Sequence, residues 1–217
     1  MINKRLQVIA SMIRKGMVVA DIGTDHAFLP IYLVENNISD YVIASDIGEG
    51  PLKIAKKNIN KYGYEDKIKL VLSDGLNKID EEVDVVVIAG MGYYTCIHIL
   101  EEAKERLDFF KQIIIEINKD VDKLRQYISD HNYTISNEKI VSEKCHDYII
   151  IDMNTNKHDS YNEKEILCGP ILMEERSDEY LDFVNRQIQK IDFILEREKD
   201  EKRIESLNKI KGYWESV

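Results

Sequence analysis

Three apolar stretches of this chain end on an acid. "VVADIGTDHAF" (18–28) stops at Asp21, "YVIASDIGEG" (41–50) at Asp46 and "KLVLSDGL" (69–76) at Asp74, and a fourth, "VIAGMG" (87–92), closes on glycines. A single acid at such a place is an ordinary turn former or helix cap. Three in succession point to a ligand. A turn that holds pyrophosphate needs several glycine N–H groups, a helix N-terminus and no nearby negative charge. The first turn here has one glycine, Gly23, between Asp21 and Asp25, so it would repel a dinucleotide. A sulfonium, an ammonium and two ribose hydroxyls all favour carboxylates. The turn is therefore read as a site for S-adenosylmethionine.

Roles follow from that chemistry. Gly23 and Thr24 are expected to pack under the methionine moiety, with Asp21 or Asp25 facing its ammonium. Asp46, 25 residues after Asp21, is placed to accept the ribose hydroxyls, much as an acid about 20 residues on does in dinucleotide folds. Ile47 beside it is counted with the pocket, and Asp74 and Gly75 are expected at the adenine. His26 is read as a cap for a helix over 27–36. Gly90, Met91 and Gly92 end the fourth run, where two glycines leave room for a flat acceptor ring.

These residues need a frame that brings strand ends together. The apolar runs 17–23, 41–47, 68–74, 83–90 and 111–117 are unbroken rather than alternating, as expected of strands covered on both faces. Helical patterns lie between them, at 27–36, 51–62, 93–107 and 120–131, with an opening helix over 3–15. Strand and helix in alternation predict a parallel sheet with right-handed crossovers. The segments 133–143 and 146–154 then follow with no helix between, which predicts a terminal β-hairpin. The fold class is α/β: a class I (Rossmann-like) methyltransferase layout with a mostly parallel seven-stranded sheet ending in that hairpin. A boundary is expected at the polar stretch near 156, giving a cofactor domain (1–156) and a small helical domain (157–217). In the latter Leu181, Val184, Ile188, Ile191 and Leu195 step by three and four, the seam of an antiparallel coiled coil folding back near 197–202.

Composition narrows the partners. A net charge of −10 weighs against an extended nucleic-acid surface. A local basic excess at Lys4, Arg5, Arg14 and Lys15 leaves one RNA-facing patch, for which Lys4, Arg5 and Arg14 are the candidates. Cys96, Cys145 and Cys168 are odd in number and far apart, which predicts neither a disulfide frame nor a zinc site but a reducing, cytoplasmic setting. No secretion signal or membrane span is expected.

At the level of whole strings, "ADIGTDHAFLPIYLV", "ASDIGEGPL", "LSDGL", "VIAGMG", "CGPIL" and the early "KRLQVIASMI" resemble, in order, the motifs of the TrmK family, bacterial tRNA (adenine-22-N1)-methyltransferases. The resemblance implies tRNA as partner, no metal, and a cofactor pocket of Asp21, Gly23, Asp46, Asp74, Gly75 and Gly90, with Met91 and Gly92 facing the target base. Two positions depart from the family pattern. Its G-M-G-G ends here in Tyr93, and its Q-P-N reads Glu116-Ile117-Asn118. Both lie on the acceptor side, where Glu116 is a candidate to stabilise the cationic product and Tyr93 or Tyr94 to stack on the base. The alternatives are a small-molecule methyltransferase and a non-catalytic S-adenosylmethionine-binding protein.

Overall fold

A computed structural model of the chain describes residues 2–80, 82–144 and 146–217; Cys145 lies outside the described residues. Helix α1 (Lys4–Met12) leads into β1 (Val19–Ile22), α2 (Phe28–Glu35), β2 (Val42–Asp46), α3 (Glu49–Tyr62), β3 (Ile68–Leu72) and β4 (Val85–Met91). Then come α4 (Tyr93–Glu102), a 3-10 segment (Lys104–Phe109), β5 (Gln112–Ile117), α5 (Val121–Asp130), β6 (Thr134–Glu143) and β7 (His146–Asn154). Among the described residues the strands form one seven-stranded sheet in the order β3-β2-β1-β4-β5-β7-β6. Strands β1 to β5 are parallel, and β7 runs antiparallel to both β5 and β6. The expected parallel sheet and terminal hairpin are both present.

The sheet is buried on both faces because its strands alternate between two cores. Ile22, Ile88 and Ile115 face one; Val87, Ile114 and Ile150 face the other, against Ile9 of α1 and Leu33 of α2. All six residues of β5 are buried, which is why the sequence shows an apolar run rather than an alternation.

Several boundaries differ from the sequence expectation. Helix α1 stops at Met12 because Ile13 is extended (ψ 127°) and buried, a packing choice that helical periodicity does not report. Pro51 is the third residue of α3, not the first. The expected helix over 93–107 gives way after Glu102 to the 3-10 segment.

The chain beyond 157 is four helices, α6 (Glu163–Cys168), α7 (Pro170–Glu175), α8 (Asp178–Leu195) and α9 (Glu201–Glu215): the last two fold back on each other close to the expected 197–202, and two short helices precede them. Gly169, at φ +90°, divides the first two. Helices α8 and α9 pack together, with Phe183 edge-on to Trp214 at 5.7 Å and Asp192 paired with Lys211 at 2.7 Å. Leu172, Tyr180, Val184 and Trp214 join the same apolar cluster as β5 and α5, so the core continues from the sheet into these helices.

A buried ion pair makes the joint. Arg125 of α5 and Glu138 of β6 have almost no exposed side-chain surface and meet at 2.7 Å. Arg125 Nη1 donates to the carbonyls of Ile166 and Leu167, both at 3.1 Å, at the end of α6. Glu138 Oε2 accepts from the N–H of Ile171 at 3.1 Å, in the first turn of α7. Each charge thus meets the helix end of opposite polarity, satisfying backbone groups that have no partner within their helix. Removing one partner strands the other in the core. Arg125→Met is expected to cost about 3–5 kcal/mol, measured by denaturant unfolding, and Arg125→Met with Glu138→Leu should recover part of that loss.

Candidate active site

In an open parallel sheet the ligand crevice lies at the carboxyl ends of the strands where the strand order reverses. Here that point lies between β1 and β4, and a cavity of about 350 Å³ opens there. Asp21, Gly23, Thr24 and Asp25 line it from the β1 turn, Ala89 and Gly90 from β4, and Asn3, Arg5 and Leu6 from the start of the chain.

The β1 turn is held from below. The N–H groups of Gly23 and Thr24 both donate to the carbonyl of Ser45 at 2.8 Å, tying the turn to the end of β2. Gly23 sits at φ +77°, and a Cβ there would fall on the terminal methyl of Met91. Both the backbone angle and the close approach of Met91 require glycine. Met91 therefore borders the turn, and its neighbour Gly92 opens α4 as an exposed N-terminal cap.

Asp21 is 6 % exposed and makes no hydrogen bond or ion pair among the described residues. Burial raises its pKa to about 6 from an ordinary 3.8; the nearby Thr24 hydroxyl and Arg5 pull it down, and Asp46 adds to the rise. Thr24 Oγ1 is itself buried beside that carboxyl without a well-formed hydrogen bond. Asp46 stands at the rim. Its Oδ1 accepts from the Gly48 N–H at 2.8 Å and its Oδ2 from the Asp25 N–H at 3.4 Å, which joins the first two acid-tipped strand ends. Ile47 next to it is 70 % exposed. Asp74 and Gly75 follow β3, two strands from β1 and outside the cavity lining.

His26 does not cap α2. That helix begins after Ala27 with no side-chain cap, and the His26 ring stacks on Phe28 at 5.3 Å with Nε2 3.3 Å from Asp25. Asp25 and Ala27 both have left-handed backbone, and Ala27 rather than His26 occupies the cap position.

Glu116 is fully buried on β5, opposite Ala89. Its Oε2 accepts from the Gly90 N–H at 2.9 Å and from Arg5 Nη1 at 2.5 Å. Gly90 interrupts the β4–β5 register as a bulge, and Glu116 holds that bulge from beneath. Burial raises the Glu116 carboxyl, against the pull of Arg5. Tyr94, 78 % exposed, projects from the first turn of α4 beside Gly92, while Tyr93 is half-buried.

The three basic residues separate. Lys4 pairs with Glu179 of α8 at the surface. Arg5 turns inward to Glu116 and the cavity. Arg14 is exposed, with its backbone N–H on the Gln112 side chain at the start of β5, the end of the sheet away from the cavity. The contributions of Asn3, Leu6 and the Ser45 carbonyl were not legible in the sequence. Only the Asn3 helix cap, which accepts from the Leu6 N–H at 2.9 Å, left a trace there.

A family model described as "TrmK: tRNA (adenine(22)-N(1))-methyltransferase" matches residues 19–213. The chain belongs to the TrmK family. A tRNA (adenine(22)-N(1))-methyltransferase of Bacillus subtilis is 32 % identical over 203 residues, 90 % of this chain and 85 % of the relative. Among solved structures, M. capricolum TrmK in complex with S-adenosyl-homocysteine is 33 % identical with a TM-score of 0.85, covering 100 % of this chain and 99 % of that one. Streptococcus pneumoniae Sp1610 in complex with S-adenosyl-L-methionine is 31 % identical with a TM-score of 0.88, again covering 100 % and 99 %. The fold is that of class I methyltransferases, with helices following the hairpin. The two departures from the TrmK pattern now have places. Tyr93 opens α4, and Glu116 supports Gly90.

A carboxyl whose folded pKa lies above its unfolded value stabilises the fold when protonated, and that contribution is lost as pH rises through the folded pKa. Asp21→Asn removes the titration. The variant is expected to be more stable than the wild type, by a margin that grows between pH 4 and pH 7 to about 3 kcal/mol. Paired denaturation curves across that range measure it.

Proposed function

We propose that this chain transfers a methyl group from S-adenosylmethionine to N1 of adenine 22 in the D-arm of tRNA. The observation that carries it is the acid-lined cavity over β1 and β4, in a chain that belongs to the TrmK family. Its first turn has a single glycine and two carboxylates, which suits a cationic nucleoside and repels a pyrophosphate. Unpartnered Asp21 also fits, because a bound ammonium would relieve the cost of its burial.

When bound, S-adenosylmethionine supplies a methyl group on a positively charged sulfur. Gly23 and Thr24 would lie under its methionine portion, with Asp21 facing the ammonium and Asp25 at the cavity edge. Asp46 would accept the ribose hydroxyls with the lone pairs left over from Gly48 and Asp25. Ile47 would cover the adenine, and Asp74 and Gly75 would meet its edge. Gly90, Met91 and Gly92 would border the target base. Glu116 acts through them, since it is buried beneath Gly90 and would not touch the base.

Adenine N1 is engaged in Watson–Crick pairing, so the base must leave its stack, at a cost of a few kcal/mol. Exposed Tyr94 is the surface on which it would stack. N1 carries a lone pair and no proton at neutral pH, so no general base is required and positioning carries much of the rate. The alkylated ring gains a positive charge, which the acids at the mouth stabilise. Lys4 would contact the RNA near the rim, whereas Arg14 would meet only RNA that wraps past the far end of the sheet. Residues 157–217 would form a second unit that helps hold the tRNA. The setting for this reaction is the cytoplasm.

Incubation with labelled S-adenosylmethionine and bacterial tRNA should transfer label and create a reverse-transcription stop in the D-arm, because a methyl on N1 blocks pairing. Donor binding without transfer, or transfer without that stop, would overturn the assignment. Asp46→Ala should weaken S-adenosylhomocysteine binding at least about tenfold. Tyr94→Ala should lower kcat/KM for tRNA about tenfold, a typical loss for one stacked base, and leave S-adenosylhomocysteine affinity unchanged.

A further inference from the structure

We infer that a second cavity, at the joint between the sheet and the helices after 157, takes one further nucleotide of the substrate RNA. Lys119 and Lys190 hold its phosphate, and Asn118 and Gln187 meet its base. The inference rests on tRNA as the substrate, as assigned under Proposed function. None of the residues that line this cavity lines the one over β1 and β4.

The cavity measures about 470 Å³, within the range of about 300–1,000 Å³ of small-ligand pockets. Its place follows from the sheet. Ile117, the last residue of β5, is paired in register with Met91 of β4. The loop 118–122, which lines the cavity, therefore leaves the carboxyl edge one strand, about 5 Å, from the residue that borders the target base. The start of α5 also touches the start of α4, because the Lys123 ammonium lies 6.0 Å from the centre of the Tyr93 ring. The other side of the cavity comes from α8 and α9, where Phe183 and Trp214 meet edge-on and give it an apolar wall. An RNA strand whose base enters beside Met91 has its neighbouring nucleotides at this opening.

The charges select the ligand. Of the acids at the lining, Asp147 is paired with Arg186 and Asp120 with Lys123, both at 2.7 Å, which leaves Asp122. Arg125 is committed to Glu138 and to the carbonyls that end α6. Lys119 and Lys190 are exposed and make no ion pair among the described residues. In a chain of net charge −10, two such lysines in one cavity mark a place for an anion, and phosphate contacts supply much of the affinity for RNA. The Asn118 and Gln187 amides each offer donors and an acceptor to a base edge, and the apolar wall offers a surface to its face. Lys190 also lines a groove on the outer face of α8. There Phe193 is 60 % exposed, with the Arg197 guanidinium 3.7 Å from its ring centre. A cation over an exposed aromatic ring beside the cavity gives a strand its continuation, which favours a nucleotide within a polymer over a free one.

The test titrates the full chain, saturated with S-adenosylhomocysteine, with tRNA at fixed salt. Lys119→Ala combined with Lys190→Ala should bind tRNA about ten- to hundred-fold more weakly, the usual cost of losing hydrogen bonds to a charged group. Its affinity for S-adenosylhomocysteine, read by calorimetry, should be unchanged and reports an intact fold. Lys119→Arg with Lys190→Arg, which keeps both charges, should bind tRNA as the wild type does. Transcripts with a single abasic position then locate the base. In the wild type one abasic position besides the target adenine should weaken binding about tenfold. In Gln187→Ala the same position should cost little more, because the two changes remove one contact. Unchanged tRNA binding by the lysine-to-alanine pair, no sensitive position besides the target, or full additivity of the abasic and Gln187→Ala losses would overturn the inference, while label transfer by the wild type would keep the methyltransferase assignment. A free nucleoside monophosphate that binds the wild type but not that pair, with tRNA binding unaffected in both, would overturn it in favour of a small effector. A wild type that transfers no label to tRNA would overturn the tRNA assignment and this inference with it.

Discussion

A carboxyl group kept at the mouth of the sheet without a partner is the constraint around which this site is arranged. Asp21 ends a strand buried on both faces, so its side chain has little water and no cation of its own. The nearest guanidinium belongs to Arg5 and is committed to Glu116. Such an arrangement is unfavourable in isolation, because desolvation opposes the charged form. The carboxyl is surrounded instead by the buried Thr24 hydroxyl and the wall of the cavity.

The same economy of contacts holds at the end of β4. Gly90 interrupts the β4–β5 register, and a bulge of this kind re-aims the chain next to an active site. One oxygen of Glu116 fixes both the bulge and Arg5. The Gly90 bulge and the Arg5 guanidinium at the cavity wall are thereby tied to a single buried carboxylate. A departure from the family's Q-P-N pattern has become a structural anchor here, with a charge matched to Arg5.

The helices after 157 are connected to the sheet by packing and by charge. Arg125 and Glu138 close the end of α6 and the start of α7, and Tyr180 and Trp214 continue the core begun by β5. Lys4 and Glu179 join α1 to α8 at the surface. The element that walls the cavity and the helices that follow the hairpin therefore bear on one another.

The sequence by itself determined the sheet and the row of acids. Unbroken Val and Ile runs report burial on both faces, and the residue that ends each run must lie at the carboxyl edge of the sheet, so Asp21, Asp46 and Gly90 could be placed there from their positions alone, whereas that Asp74 falls outside the cavity could not be read from its position. Helix ends were less legible: Ile13, Gly169 and the 3-10 segment follow packing and backbone angles that periodicity does not encode. Only the tertiary structure decided the fate of the three early cations. Lys4, Arg5 and Arg14 look alike as a local excess of charge, yet they go to α8, to the cavity and to the far end of β5. The reason is physical. A side chain's electrostatic role depends on distances to charges far away in sequence, and Glu116, 111 residues from Arg5, is brought beside it only when the strands align.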